Sequence, residues 1–481
     1  MKKSITKNYI YNLLYQVFLL ITPVITTPYV SRVLGAEGIG QYSFTNSIVS
    51  YFVLFAALGF GYYAQREIAK YQGNKQEQSK IFGEIVIIRA VSVLTVLIVY
   101  ESLILLGVFG QKYTLLMIIL SLNIISVAFD PSFLFQGNEE FGRLVLRNFL
   151  VKSVSIICVF AFVKQPKDVW LYVLIFSIAG LISHFSIYLY LPKMICKHQM
   201  SNLRPLRHLK PAIILFIPTI AVSVYTMLDK TMIGVITGSD ALNGYYEQAE
   251  KLVKMSLTIV TSLGTVMIPR NSNAIQNNEI NDVKTNIYKA IRFVWFIGTP
   301  IMFGIIAVAD NLNLWFFGPG YEPVITLMRA LSPLILALGL NNVLGIQYLI
   351  PAGKEKLFTY SVILGATSNF ILNLILISTI GIIGVAIASV FAETIIFLYQ
   401  LFVLRSTFSI RKVLLCGWKN ILSGAIMLTL LLFISSLLSS SVLNTMILVA
   451  IGAFTYFFGL FLLKDEAIFD LFKQVKKKIF Q

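Results

Sequence analysis

TTPYVSRVLGAEGIGQYSF, residues 26–44, closes one long apolar run and opens another. Arg32 stands at the end of the first run, and Gly35, Gly38 and Gly40 follow it. A turn between two apolar helices explains both features. Glycine supplies the positive φ that a tight turn needs, and an arginine at a helix end snorkels to the interface. The stretch is not a phosphate loop, because it follows a helix instead of a strand and the chain has no Walker motif.

Composition supports this reading. Of 481 residues, 57% are hydrophobic and only 13% charged, whereas soluble domains carry about a quarter charged residues. The chain is expected to be an all-α polytopic membrane protein. Its net charge of +17 sits in short loops and not in a soluble basic domain, which argues against nucleic acid. Three cysteines in no CxxC pair and three scattered histidines support neither a disulfide framework nor a metal site. No cofactor is implied. The opening run has no small-residue cleavage site and reads as an uncleaved first span.

About fourteen spans are expected, near 8–34, 42–65, 81–110, 114–136, 141–163, 168–191, 211–236, 245–268, 286–312, 323–350, 356–378, 380–404, 414–438 and 442–463, each about 20 residues or longer. The loops on one side hold twenty-nine Lys and Arg, including Arg143 and Arg147, against Lys112, Lys164 and Lys167 on the other. Both termini are therefore expected in the cytoplasm. Residues 1–192 form a first six-helix lobe and 193–210 a basic cytoplasmic linker. Residues 211–404 form a second six-helix lobe, 405–463 two additional helices, and 464–481 a basic amphipathic tail suited to an anionic membrane surface.

The opening stretch recurs. Gly35-Ala-Glu-Gly-Ile-Gly-Gln-Tyr42 matches Gly238-Ser-Asp-Ala-Leu-Asn-Gly-Tyr245 at an offset of 203, and Arg66 matches Arg270. Both halves start on the same side, so the repeat is parallel. Such halves commonly flank a central substrate cavity near the mid-membrane.

A charge near the bilayer centre costs about 2.5–3.5 kcal/mol, so it needs a partner or a cavity. Candidates are Arg32, Arg89, Asp130, Asp229, Lys230, Lys251, Lys254, Arg329 and Glu393. Adjacent Asp229 and Lys230 point about 100° apart and need separate environments. Glu247 with Lys251, and Glu250 with Lys254, are i,i+4 neighbours. They form either a self-neutralised helix face or a cation-lined wall. Asp130 precedes Pro131, where the helix can break, and capping or a structural hydrogen bond is the role expected of its carboxylate. Asn8, Tyr11, Asn12, Tyr15 and Gln16 draw a polar stripe along the first span. It faces either another helix or a cavity, where Tyr and Asn would suit sugars. Hydrolase elbows, HExxH and acidic metal motifs are missing from the sequence, and no catalytic residue is assigned.

The runs NLLYQVFLLITPVITTPYVSRVLGAEGIGQYSF, FAALGFGYYAQREIAKY, FLFQGNEEFGRL and LDKTMIG resemble the Wzx-type oligosaccharide flippases. These are the polysaccharide transporter branch of the MOP superfamily. The resemblance spans nearly the whole chain. It implies two parallel six-helix lobes in a V around a central cavity, plus two C-terminal helices. It also implies alternating-access translocation of polyprenyl-pyrophosphate oligosaccharide to the outer leaflet of a bacterial plasma membrane, for capsule, exopolysaccharide or O-antigen assembly. A polysaccharide polymerase and glycosyltransferases would be partners, beside membrane lipids. Arg89, Lys230, Lys251, Lys254, Arg329 and Arg32 would then meet pyrophosphate, Asn8, Tyr11, Asn12 and Tyr15 the sugars, and Asp229 a coupling ion. A lipid II flippase, a cation-coupled drug exporter and a membrane polymerase or ligase stand as alternatives.

Overall fold

The computed structural model describes residues 5–196, 203–277, 279–465 and 468 of the chain; these contain helices and turns and no strand. Eleven helical stretches among them are long and apolar enough to cross a membrane. The first holds two arms divided at Gly35, and two further long helices, Leu209–Thr237 and Asp240–Gln276, stand where spans seven and eight are expected. The pattern is consistent with fourteen spans.

By packing, the chain falls into two compact units. One comprises Met1–Gly234 with Gly238–Gly244, the other Val235–Thr237 with Tyr245–Gln481. The first unit is built from α1 (Ile5–Ala57), α2 (Phe60–Lys70), α3 (Lys75–Leu105), α4 (Thr114–Ala128), α5 (Ser132–Gly137), α6 (Phe141–Phe162), α7 (Val169–Ser186) and most of α8 (Leu209–Thr237).

The expected glycine turn is only one residue wide. Gly35, at φ 67° and ψ 174°, is the one non-helical residue inside α1. The sequence reading allowed a loop as far as Tyr42; the helix in fact resumes at Ala36. Backbone outside a helix leaves polar groups unpaired in hydrocarbon, so the reversal is confined to the residue that tolerates it. The other glycines serve packing. α9 (Asp240–Gln276) begins two residues after Gly238, which is left-handed at φ 63°. The first turn of α9 lies directly on α1. A Cβ on Gly40 would strike the Asp240 carbonyl, and one on Gly244 the Ala36 carbonyl. The recurring stretches thus pack on each other, each glycine of the pair admitting the other's backbone. Asp240, buried there, accepts from the Tyr113 hydroxyl at 2.7 Å and pairs with Lys112 at 2.5 Å, and Lys112 also reaches Glu37 at 3.5 Å.

The expected break at Asp130-Pro131 is present between α4 and α5. The Asp130 carboxylate accepts from the Ser132 backbone N–H at 2.9 Å, a structural hydrogen bond across the break, where Pro131 precedes α5. At the basic end, Phe60, Tyr63, Ile68, Phe82, Phe133 and Leu191 share a core. Glu84, fully buried beside it, holds the end of the expected linker. It accepts from the Arg204 N–H at 2.7 Å and from Arg207 at 2.6 Å, and lies 2.7 Å from His208 Nε2. His208 Nδ1 meets the Tyr63 hydroxyl at 2.7 Å. Linker residues 197–202 and nearly all of the expected tail lie outside the described residues.

In the second unit, α10 (Ile280–Phe316) is the organising helix. α16 (Trp418–Ser435) and α17 (Val442–Leu462), the two expected additional helices, pack on it through Phe296, Met427, Leu431, Leu448 and Tyr456. The Tyr456 hydroxyl donates to the Phe296 carbonyl at 3.0 Å. The tenth span is not one helix. α11 (Glu322–Leu331) stops before Pro333, which cannot donate to the ladder. α12 (Leu334–Asn341) then passes into a π-helical turn over Asn342–Leu349. α13 (Glu355–Ile380) and α14 (Ile382–Val403) reverse about Gly381, and α15 (Ile410–Leu415) leads into α16.

Overpacking costs about 1–3 kcal/mol. Gly40→Val should therefore lower the thermal unfolding midpoint in detergent by several degrees. Gly61→Val, at a site with open space around it, should change it little; equal shifts would remove the packing role of Gly40. Glu84→Ala, which strands Arg207 and His208, should cost about 3 kcal/mol or more in the same measurement.

Candidate functional site

In the first unit, five helical segments place polar side chains together within a few turns of the basic end. Arg89 on α3 is 3% exposed. Its guanidinium donates to the Asp130 carbonyl, freed by the break after α4, and lies 5.1 Å over the Phe133 ring on α5. His184 on α7 places Nε2 3.8 Å from the Asp130 carboxylate and Nδ1 2.8 Å from the Ser126 carbonyl. On α6, Arg147 donates twice to the Asn148 side-chain oxygen, at 3.0 and 2.7 Å, and Ser183 donates to the same oxygen at 3.2 Å. Tyr15 on α1 faces Asn148 and Arg147.

The charge balance decides what this cluster can do. Two guanidiniums, Arg89 and Arg147, lie within electrostatic reach of one carboxylate, and Asp130 is already bonded to the Ser132 N–H. Arg89 Nε and one terminal nitrogen of Arg147 are buried with no partner. A buried cation with a spare donor is costly unless something fills it. An anion with several acceptor oxygens, such as a phosphate group, supplies charge and acceptors together.

The other expected residues stand on α1 and α8 of the first unit and on α9, α11 and α14 of the second. Asp229 is buried on α8, within electrostatic reach of the Tyr51 hydroxyl. A chain of hydroxyls, Ser47 to Thr231 at 3.0 Å and Thr231 to Tyr51 at 3.3 Å, stands beside it. Adjacent Lys230 is half-buried, and its carbonyl accepts from Asn243 at 2.7 Å. Arg32 is exposed. The side chains of Asn8, Tyr11 and Asn12 lie outside what is described. In the second unit, Lys254 pairs with Glu250 at 2.6 Å, the i,i+4 partnership anticipated. Lys251 is half-buried on the same helix. Arg329 forms an ion pair with Asp310 and donates to the Ile306 carbonyl at 3.2 Å. Glu393 is held at 2.5 Å by Asn341.

Arg147 and His184 of this cluster, and Lys152 near it in sequence, are not among the residues the sequence singles out. Arg147 reads from sequence as a loop charge, but it sits inside α6, past its first turn. Lys152, a turn further on, lies 4.5 Å over the Phe176 ring. His184 is one of three scattered histidines that the sequence does not mark as a site. The available signal was depth: each lies in an apolar run, where a polar residue needs a partner.

The family described as "Polysaccharide biosynthesis protein" matches residues 5–275. Two curated relatives named "Putative O-antigen transporter" align over most of their length. The Escherichia coli K12 protein is 26% identical over 86% of this chain and 99% of its own, and the Shigella dysenteriae protein 27% over 79% and 94%. Among solved structures, the lipid II flippase MurJ in an inward closed conformation superimposes with TM-score 0.69 at 18% identity, covering 92% of this chain and 99% of that one. An inward-facing multidrug-resistance MATE transporter of the MOP superfamily gives 0.59 at 12%, covering 85% and 98%. These likenesses establish the fold.

Arg329 and Asp310 are both partly exposed, so their coupling should be small. A double-mutant cycle of Arg329→Gln and Asp310→Asn, read by thermal unfolding, should give about 0.2–1 kcal/mol. A coupling well above that range would mean that the pair works in a drier setting than its exposure indicates.

Proposed function

This chain belongs to the polysaccharide biosynthesis protein family, and on that basis we propose that it is a flippase for polyprenyl-pyrophosphate-linked oligosaccharide. It carries repeat units from the inner to the outer leaflet by alternating access, as a transporter and not an enzyme, in capsule, exopolysaccharide or related surface-polysaccharide assembly. The observation that carries this reading is the buried Arg89 with its unpartnered Nε, beside Arg147. A pyrophosphate is the charged part of such a substrate and will not dissolve in hydrocarbon, and guanidinium forks match phosphate oxygens. The polyprenyl tail needs no site in the protein, because the bilayer dissolves it.

In this reading both termini lie in the cytoplasm of a bacterial cell, so the cluster opens toward the leaflet where lipid-linked units are built. Lys230 and Arg32 of the first unit and Lys251 of the second are further candidate contacts for the pyrophosphate, while Lys254 and Arg329 act with their local acids. Tyr15, with Asn8, Tyr11 and Asn12, offers hydroxyls and amides to sugars. Asp229 beside the Tyr51 hydroxyl chain is the candidate for ion coupling. Polymerase and glycosyltransferases would be the protein partners. Lipid II transport uses the same phosphate chemistry and is the nearest alternative. A cation-coupled drug exporter would need a net acidic pocket, and the cluster's cations speak against it.

Deletion of the gene in its native host should leave complete lipid-linked repeats on the inner leaflet and abolish surface polysaccharide. Single unpolymerised repeats on the outer leaflet would point to a polymerase instead. Arg89→Gln should reduce export about tenfold or more at normal protein level, since a hydrogen bond to a charged group contributes about 1.5–3 kcal/mol. Arg89→Lys should fall between, because an ammonium keeps the charge and loses the fork. Full export by Arg89→Gln would take the anion site away from this cluster.

A further inference from the structure

The second unit holds a cavity of about 700 Å³ at its basic end, between α10 and α15. Its walls include Tyr288, Lys289, Arg292, Arg411, Lys412 and Leu415, and no acidic residue lines it. Lys289 and Arg292 are three apart on α10 and so share a face. Arg411 and Lys412 begin α15 opposite them. The wall is fixed in place: the Trp295 indole donates to the Val413 carbonyl at 3.2 Å, the Ser409 N–H donates to the Tyr288 hydroxyl at 2.9 Å, and Gly417 admits the Trp295 ring. Lys289, Arg411 and Lys412 form no ion pair among the described residues.

Lys289, Arg411 and Lys412 facing one cavity repel each other unless an anion sits among them. The surroundings indicate what kind of anion. Ile410, Leu414, Leu415, Trp418, Ile421 and Leu422 are all exposed large apolar residues on α15 and α16, running directly from the cavity along the helix surface. A soluble anion has no use for that strip, whereas acyl chains do. An indole at the edge of an apolar band is a usual marker of the membrane interface. α10, at 37 residues, is about 55 Å long, well beyond the ~30 Å hydrocarbon thickness. Its first third, with Lys289 and Arg292, can therefore stand at headgroup level.

We infer that this cavity binds the phosphate-bearing headgroup of an anionic lipid, with the acyl chains lying along the apolar face of α15 and α16. The site lies wholly in the second unit, apart from the Arg89 cluster, and the inference does not depend on what the chain transports. Two phosphates would match Lys289, Arg411 and Lys412 better than one, so diphosphatidylglycerol is the probe of choice.

Native mass spectrometry of the full-length protein in detergent, titrated with diphosphatidylglycerol, phosphatidylglycerol, phosphatidylethanolamine or inorganic pyrophosphate, tests it. Diphosphatidylglycerol should be retained most, phosphatidylglycerol less, and zwitterionic phosphatidylethanolamine least. Arg411→Gln/Lys412→Gln, both at exposed positions that leave the fold unaffected, should cut diphosphatidylglycerol retention at least fivefold. Lys289→Gln alone should cut it less. Equal retention of phosphatidylethanolamine, or undiminished retention by the double variant, would overturn the proposal. Retention of pyrophosphate without the lipids would overturn the lipid assignment and leave a soluble-anion site.

Discussion

Hydrocarbon does not solvate a peptide group, and the rest of this structure follows from that constraint. Each unpaired backbone N–H or C=O in lipid costs several kcal/mol, so the described residues are almost entirely helical and irregular backbone is rationed. The reversal between the first two spans occupies one glycine. The Asp130-Pro131 break is closed by a carboxylate on one side and a guanidinium on the other. At Pro333 the lost donor is followed by a π-helical turn that keeps the ladder running. Where the chain must leave the helix, a side chain or a glycine pays at once.

The same constraint explains why the polar side chains come in clusters. Hydrocarbon offers no partner to a stray charge, so Glu250 takes Lys254 and the fully buried Glu84 gathers Arg207 and His208. The Arg89 and Arg147 group departs from this rule, because its guanidiniums outnumber the carboxylate and keep donors in reserve. An imbalance of that kind is tolerable where a ligand completes it, which is why the cluster and not the neutralised pairs anchors the functional reading. The cationic cavity between α10 and α15 is a second imbalance, at headgroup depth, where lipid supplies the counter-charge.

The recurring glycine stretches tie the fold to that chemistry. Gly40 and Gly244 let the backbones of α1 and α9 touch, and this contact brings Asp240 within reach of Lys112 and Tyr113. Lys112, one of few cations on its side of the chain, is thereby committed to an ion pair. Small residues at a helix crossing do by close packing what apolar burial does in water, since lipid tails are as apolar as leucine.

Local pattern was enough for whatever depends on neighbours in the chain. The helical membrane class follows from a composition that no water-facing surface accommodates. The spans follow from apolar length, the break from Asp130-Pro131, the pairing of Glu250 with Lys254 from i,i+4 spacing, and the internal repeat from its own recurrence. Tertiary structure alone decided which distant residues meet. Arg89 with Asp130, Arg147 with Tyr15, Arg329 with Asp310 and Asp240 with Lys112 join different helices, and helix spacing carries no record of the neighbour across a packing interface. Arg147 shows the limit most plainly: a charge near a span end reads as a loop residue until the helices around it show that it is inside.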